Sequence, residues 1–212
     1  MLYEMRVYEV PPGQGPAFVK LVQDVGHPIR GDKYGKMEGY WQSELGALNR
    51  VWHLWSHDSL AARSENRRRL SEDKAWTGDF VPLIKDMILR QDIMLLNPVR
   101  ELTNKPASRG NVYEFRDYRC AFGRAPGFAK AIVEAMPIRE RHSKNLGVWL
   151  GESPQPNQCC HLWIYKDLKE RAEQRAKVAA DPDWAVFLKN NRSALVDMHS
   201  TVLIPTAFSP LG

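Results

Sequence analysis

Residues 3–10 alternate, with Tyr3, Met5 and Val7 on one side and Glu4, Arg6 and Tyr8 on the other. A period of two with one apolar face predicts a half-buried strand. Pro11, Pro12 and Gly13 close it, since proline cannot donate to a strand ladder. The period then changes. Phe18, Leu21, Val22 and Val25 make one helical stripe that opens at Pro16 and is expected to stop at Gly26 and Pro28. A polar loop spans 31–36. Two aromatic-rich runs, 40–43 and 50–56, flank a break over 44–49 that carries Gly46 and Asn49, which predicts an antiparallel hairpin. Asp58 or Ser59 caps a helix over 60–70. A second helical stretch over 76–89 turns Trp76, Phe80, Leu83, Ile84, Met87 and Ile88 inward. Residues 93–96 form a short strand closed by Asn97 and Pro98.

The pattern then repeats. Gly147-Val148-Trp149 follows Gly39-Tyr40-Trp41 at an offset of 108, and His161-Leu162-Trp163 follows His53-Leu54-Trp55 at the same offset. Trp184 stands 108 after Trp76. Tyr113-Glu114-Phe115-Arg116 echoes Tyr3-Glu4-Met5-Arg6, and Pro137-Ile138-Arg139 echoes Pro28-Ile29-Arg30. Agreement in the same order along both halves identifies an internal duplication. The divisions expected are a first repeat over 1–100, a polar linker over 101–111 and a more divergent repeat over 112–212. In the second repeat, strands are expected over 112–119, 148–150, 159–165 and 201–204. Helices are expected over 126–135, 168–180 and 184–196.

Each half therefore reads β-α-β-β-α-β, an α+β unit of ferredoxin-like type with both helices on one sheet face. The other face of such a sheet is bare. Two copies in one chain can cover it by packing sheet on sheet or by joining edges into a shared barrel. The fold class expected is two ferredoxin-like repeats forming a dimeric-α+β-barrel-like unit within one chain.

Composition narrows the function classes. The 212 residues carry a formal net charge of +5, spread along the chain. The densest basic run, Arg67-Arg68-Arg69, falls in a helix and reads as a solvated face rather than a nucleic-acid patch. No nucleic-acid partner is expected. Three cysteines, Cys120, Cys159 and Cys160, argue against a secreted disulfide scaffold, and Cys159 and Cys160 should point to opposite sides of one strand. The first strand begins at once, and no run of 18 apolar residues exists, so no membrane span is expected and the cytoplasm is the default address. Gly13-Gln14-Gly15 lacks the third glycine of a dinucleotide loop, and no Gly-x-Ser-x-Gly elbow is present.

Several motifs bear a family resemblance: Tyr-Glu-x-Arg-x-Tyr at 3–8, Gly-Tyr-Trp-x-Ser-Glu-Leu-Gly-x-Leu-Asn at 39–49, and His-Leu-Trp-x-x-Asp-Ser-Leu at 53–60. With Trp76 and the Leu-Leu-Asn-Pro ending at 95–98, they resemble the NIPSNAP family, strongly over 3–98 and less closely over 113–205. In the second copy Glu44-Leu45-Gly46 has no clear counterpart, and Asp58-Ser59 becomes Lys166-Asp167. The resemblance implies the dimeric α+β barrel fold. That superfamily also holds small monooxygenases, haem-degrading enzymes, dismutases and decarboxylating enzymes, among which fold does not choose.

Alternation also suggests a site. If Met5 and Val7 face the helices, then Glu4, Arg6, Tyr8, His53 and Trp55 point into the barrel. Glu114, Arg116, Tyr118, His161 and Trp163 would do so in the second half. Aromatic walls with a few convergent polar groups suit a small-molecule cleft; the same residues also suit a structural ion-pair role between sheets. His53 is the candidate for general base or metal ligand, and Glu44 stands either at the cleft mouth or in a plain turn. No cofactor is expected, haem entering by fold analogy alone, and no metal cluster is legible. Two functions follow. One is a protein that binds a small, partly apolar molecule, working as a cofactor-independent enzyme of monooxygenase-like type. The other, which the resemblance also implies, is a non-catalytic interaction or trafficking module. Self-association is expected, with a dimer favoured.

Overall fold

The computed structural model describes residues 1–103 and 109–212. The expected linker over 101–111 falls partly outside the described residues. The first half runs β1 (Leu2–Glu9), α1 (Gly15–Leu21), α2 (His27–Arg30), β2 (Lys36–Leu45), β3 (Arg50–His57), α3 (Leu60–Glu72), α4 (Val81–Ile84) and β4 (Arg90–Arg100). The second runs β5 (Val112–Cys120), α5 (Ala125–Glu134), α6 (Met136–Arg139), β6 (Lys144–Ser153), β7 (Gln158–Tyr165), α7 (Leu168–Ala180), α8 (Pro182–Asn191) and β8 (Leu195–Pro205). No helix is long and apolar enough to cross a membrane.

The strands close into one barrel in the order β1-β3-β2-β8-β5-β7-β6-β4, every pairing antiparallel. Each half supplies four adjacent strands. The halves join at two seams, β2 on β8 and β4 on β6. The duplication thus resolves by edge pairing with helices outside, and closure leaves no free strand edge. The hairpin of β2 and β3 turns where expected, with Gly46 and Asn49 at positive φ of 111° and 56°.

The barrel interior is largely aromatic and apolar. Trp41 packs on Tyr113 (5.6 Å between ring centroids), Trp52 on Phe115 (5.5 Å) and Tyr3 on Trp149 (5.5 Å), each pair drawn from both halves. Met5, Leu54, Leu96, Leu162 and Leu203 fill the remainder. The repeated Gly-x-Trp has a steric cause here. A Cβ on Gly39 would stand 2.0 Å from the Trp41 ring, and one on Gly147 would stand 2.5 Å from the Trp149 ring. Each indole lies flat over the glycine two residues before it.

This core reverses the expected facing. Met5 and Val7 point into the barrel, while Glu4, Arg6, Tyr8, His53 and Trp55 point outward beneath the helices, as do Glu114, Arg116, Tyr118, His161 and Trp163. The physical reason is solvation. An eight-stranded barrel is only wide enough to be filled by side chains, and this one is filled mainly by apolar and aromatic ones, its few polar groups, such as Asp117 with Gln158 and Glu38 with Ser56, being paired among themselves. The helix layer offers partners for charge through Arg63 and Arg171, which pair with Glu4 and Glu114. The two cysteines divide as expected, Cys160 to the barrel core and Cys159 to the helix side.

Several boundaries also shift. The first helix does not stop at Gly26 and Pro28. A π turn over Val22–Gly26 rephases it, so that Pro28 falls in the first turn of α2, where no N–H is needed. The chain leaves at Gly31, whose φ is 44°. A second π turn, Trp76–Phe80, places Pro82 in the first turn of α4 in the same way. β4 runs through Pro98 rather than ending before it, with a register shift against β6 between Pro98 and Arg100. β8 starts at Leu195, so helix does not extend to 196. In both strands, pairing along the barrel seams overrides weak local pattern.

Candidate functional site

In β1 and β3, Arg6 stands opposite His53 and Glu4 opposite Trp55. Register therefore gathers these side chains on the outer sheet face, under α1, α2, α3 and the Trp76–Phe80 turn. Glu4 lies deepest. It accepts from Arg6 Nη1 and, at 2.6 Å, from Arg63 Nε on α3. Burial alone would raise its pKa, but the bond from Arg63 and the charge of Arg6 hold it at about 2. Arg6 is thereby fixed, and its Nε donates to Tyr8 Oη at 2.8 Å while Nη2 donates to Gln91 Oε1 at 3.3 Å.

His53 is the most constrained group. Tyr40 stacks on it at 4.9 Å and 14°, and Tyr8 meets it edge-on at 4.7 Å. Trp55 Nε1 donates to His53 Nδ1 at 2.6 Å. An indole N–H can only donate, so Nδ1 carries no proton. Burial, aided by the positive charges of Arg6 and Arg30, pushes the imidazole well below its ordinary pKa. The ring is therefore neutral with its proton on Nε2, and among the described residues Nε2 has no hydrogen-bond partner. His53 is built as a donor, not as a base.

Above this cluster lies a cavity of about 440 Å³, walled by Phe18, Tyr40, Trp55, Trp76, Phe80 and Ile84. Arg30, at the end of α2, lays its guanidinium over Trp55 at 3.4 Å from the ring centroid and is 5% exposed. Arg67 of α3 also lines the cavity. It belongs to the run expected to be solvated, as its neighbours Arg68 and Arg69 are, Arg68 forming exposed ion pairs with Glu65 and Glu72.

The second half rebuilds the site. Trp163 Nε1 donates to His161 Nδ1 at 2.5 Å, Tyr118 stands edge-on to His161 at 4.7 Å, and His161 Nε2 has no partner. Burial again holds this imidazole neutral. Glu114 accepts from Arg116 (3.0 Å), Arg171 (2.8 Å), Ser200 and Tyr165 (3.2 Å), and against burial the charge of Arg116 with the bonds from Arg171 and Ser200 holds its pKa at about 2. Arg139 lies over Trp163 at 4.3 Å, and the cavity of about 760 Å³ continues along Phe187, Leu188 and Met198. Val148 replaces Tyr40, so His161 lacks the stacked ring.

All ten side chains singled out from the sequence fall into these two clusters, five in each. Arg6, Tyr8, His53, Trp55 and their counterparts Arg116, Tyr118, His161 and Trp163 line the cavities. Glu4 and Glu114 do not; they sit behind, holding the arginines. Glu44 is exposed at the end of β2 and lines neither cavity. Arg67 and Arg175 were not singled out, and the sequence did carry their signal. Arg63 and Arg67 recur as Arg171 and Arg175 at the offset of 108 that relates the hairpins.

A metal-binding histidine offers an unprotonated nitrogen while its other nitrogen donates. Here Nδ1 accepts from an indole and Nε2 holds the proton, so neither His53 nor His161 fits a haem iron. Among the described residues no group of three His, Cys, Asp or Glu stands close enough to hold a metal ion.

Comparison with known proteins places this geometry. The NIPSNAP family model matches residues 3–101 and again 113–210. The chain is 30% identical over 218 residues to the human Protein NipSnap homolog 3A, covering all of this chain and 86% of that protein. A Protein NipSnap homolog from Dictyostelium discoideum is 25% identical, covering 96% of this chain and 87% of that protein. Among solved structures, a putative monooxygenase from Fusobacterium nucleatum superposes with a TM-score of 0.71 at 12% identity, covering 97% of this chain and 92% of that one. An anthrone oxidase-like protein superposes with a TM-score of 0.69 at 9% identity, covering 99% and 93%. At these identities the two structures establish the fold alone.

Proposed function

Because the chain belongs to the NIPSNAP family, a membership that fixes the fold and leaves the chemistry to be read from the site, we propose that it binds a small, partly apolar molecule in its helix–sheet cavities. The observation that carries this reading is the recurrence, in both halves, of an aromatic-walled cavity flanked by a buried imidazole whose Nε2–H has no partner. Unsatisfied buried donors are rare in folded proteins, and a ligand acceptor would satisfy these. A neutral imidazole N–H beside guanidinium groups stabilises negative charge developing on a substrate oxygen. The reaction class this supports is cofactor-independent chemistry through an enolate or oxyanion, and the monooxygenase-like folds agree with it by analogy only.

A second reading, an interaction module, is favoured by Leu188, Val186, Val196 and Met198, which are 45%, 59%, 61% and 51% exposed around α8 and the start of β8. The same stripe supports self-association as a dimer. The three unpaired, buried thiols suit a reducing compartment such as the cytoplasm.

Native mass spectrometry of freshly purified protein, with an absorbance scan, tests both readings. Retained small-molecule mass at one or two per chain is expected. A clean apo oligomer that takes up no small molecule would overturn the binding reading in favour of the interaction module.

A further inference from the structure

Arg30 is a buried charge without a counter-ion. It is 5% exposed, and among the described residues its side chain makes neither a hydrogen bond nor an ion pair, Nε being buried without a partner. Its contacts are the faces of Trp55 and, at 6.0 Å, Trp76. Burying an unpaired charge is costly, and stacking on an indole offsets only part of that. Arg67 lines the same cavity and also lacks an ion pair. Around this volume the charged lining residues are Arg6, Arg30, Arg67, Lys85 and Arg90, with no carboxylate among them. Glu4 is committed elsewhere, saturated by Arg6 and Arg63.

The second cavity has the same bias. Arg116, Arg139, Arg175 and Arg192 line it; Arg116 is paired with Glu114, which Arg175 also reaches at 3.5 Å, and Asp197, the cavity's one carboxylate, is paired with His199 at 2.9 Å. Arg139 is 4% exposed, with Nη1 unpartnered. Duplication has thus kept a stacked, buried arginine at the end of a short helix in both halves, beside a neutral imidazole donor. The charge environment agrees, since burial together with the charges of Arg6 and Arg67 pushes the Arg30 pKa down to about 9.

We infer that each cavity takes an organic acid: a compact oxyanion seated between Arg30 and Arg67 in the first half, or Arg139 and Arg175 in the second, on an apolar body held by the aromatic walls. This rests on the binding reading above and gives it a substrate class. The planar guanidinium fork matches a carboxylate or a similar oxyanion through paired hydrogen bonds.

The test compares two fluorescent probes that differ in charge, 8-anilino-1-naphthalenesulfonate and the neutral N-phenyl-1-naphthylamine, titrated against the intact protein. The sulfonate is expected to bind at two per chain, about tenfold more tightly than the amine. Arg30→Met should weaken the sulfonate about tenfold at one of the two sites and leave the amine unchanged, Arg139→Met should do so at the other, and Arg30→Lys should restore part of the loss. Arg67→Met, on a half-exposed helix position, gives the same readout should the buried Arg30→Met variant not fold. Equal binding of both probes, or sulfonate binding that ignores all these variants, overturns the organic-acid assignment and leaves the cavity reading standing. Failure of both probes to bind overturns the two together.

Discussion

Replacing Glu4 by Gln tests whether the arginine scaffold under the first cavity is electrostatically built. The carboxyl ordinarily titrates at 4.5 and here is held at about 2. A folded-state pKa below the unfolded one contributes stability that is complete above about pH 4.5 and lost as pH falls toward 2. At about 1.4 kcal/mol per unit, the difference corresponds to about 3 kcal/mol, and the 1% exposure of Glu4 means little solvent screening. Glu114 titrates over the same window and contributes a similar amount. His53 and His161, both held neutral by burial, add a further loss that begins as pH falls below about 6.5. Urea unfolding of the wild type at pH 7, 4 and 2.5 should therefore show stability falling throughout, most steeply below pH 4.5. In Glu4→Gln the histidine component persists and about half of the carboxylate component disappears. The variant should also be less stable at pH 7 by about 3–5 kcal/mol, because Arg6 and Arg63 lose their common counter-charge. An unchanged pH 7 stability with an unchanged acid limb would refute the account of Glu4 as the anchor of Arg6.

Two further perturbations address the core and the imidazole. Gly39→Ala places a methyl 2.0 Å from the Trp41 ring, and overpacking of this kind should cost about 1–3 kcal/mol in urea unfolding; an unaffected midpoint would show that the indole has room to move. Trp55→Phe removes the indole donor to His53 Nδ1. In ¹⁵N spectra of the side chain, the wild type should show a single neutral tautomer protonated at Nε2, and the variant a mixture or the opposite tautomer. A wild-type ring protonated at Nδ1 would contradict the donor assignment.

How far the fold was legible follows from what repetition can and cannot encode. The order of elements was readable because two copies agreed, and because the Gly-x-Trp and His-x-Trp spacings are tied to contacts made within single strands: an indole over a glycine, an indole N–H on an imidazole. The facing of the sheet was not readable. Alternation separates two faces without saying which is wet, and in this chain both are covered, since residues 2–8 are buried throughout. Tyr3, Met5 and Val7 read equally well as packing against helices or against the opposite half. Arg67 was hidden by its company. A charged side chain in a basic helical run reads as solvated, and only its recurrence as Arg175 separates it from Arg68. The π turns were hidden as well, because Gly26 and Pro28 signal a stop unless an extra residue rephases the helix.

The duplication also separates what the site requires from what it tolerates. Held in both halves are the carboxylate beneath the helices, the arginine it fixes, the Tyr hydroxyl that accepts from it, the indole–imidazole bond and the stacked arginine under a distal tryptophan. Each depends on another of the set. Without Glu4 or Glu114, the strand arginine would be a buried charge with no counter-charge; without Trp55 or Trp163, the imidazole proton would have no reason to reside on Nε2. The ring stacked on the imidazole differs, Tyr40 in one half and Val148 in the other, and so do the groups lining the far end of each cavity, from Ile84 and Phe80 to Leu188 and Met198. The constant part is polar and basic; the variable part is apolar and sets the size of the space, about 440 Å³ against about 760 Å³. On the organic-acid proposal, two cavities that share a basic floor but not their walls would accept the same functional group on bodies of different bulk, and a chain that carries both as one barrel cannot lose either half without opening the aromatic core they share.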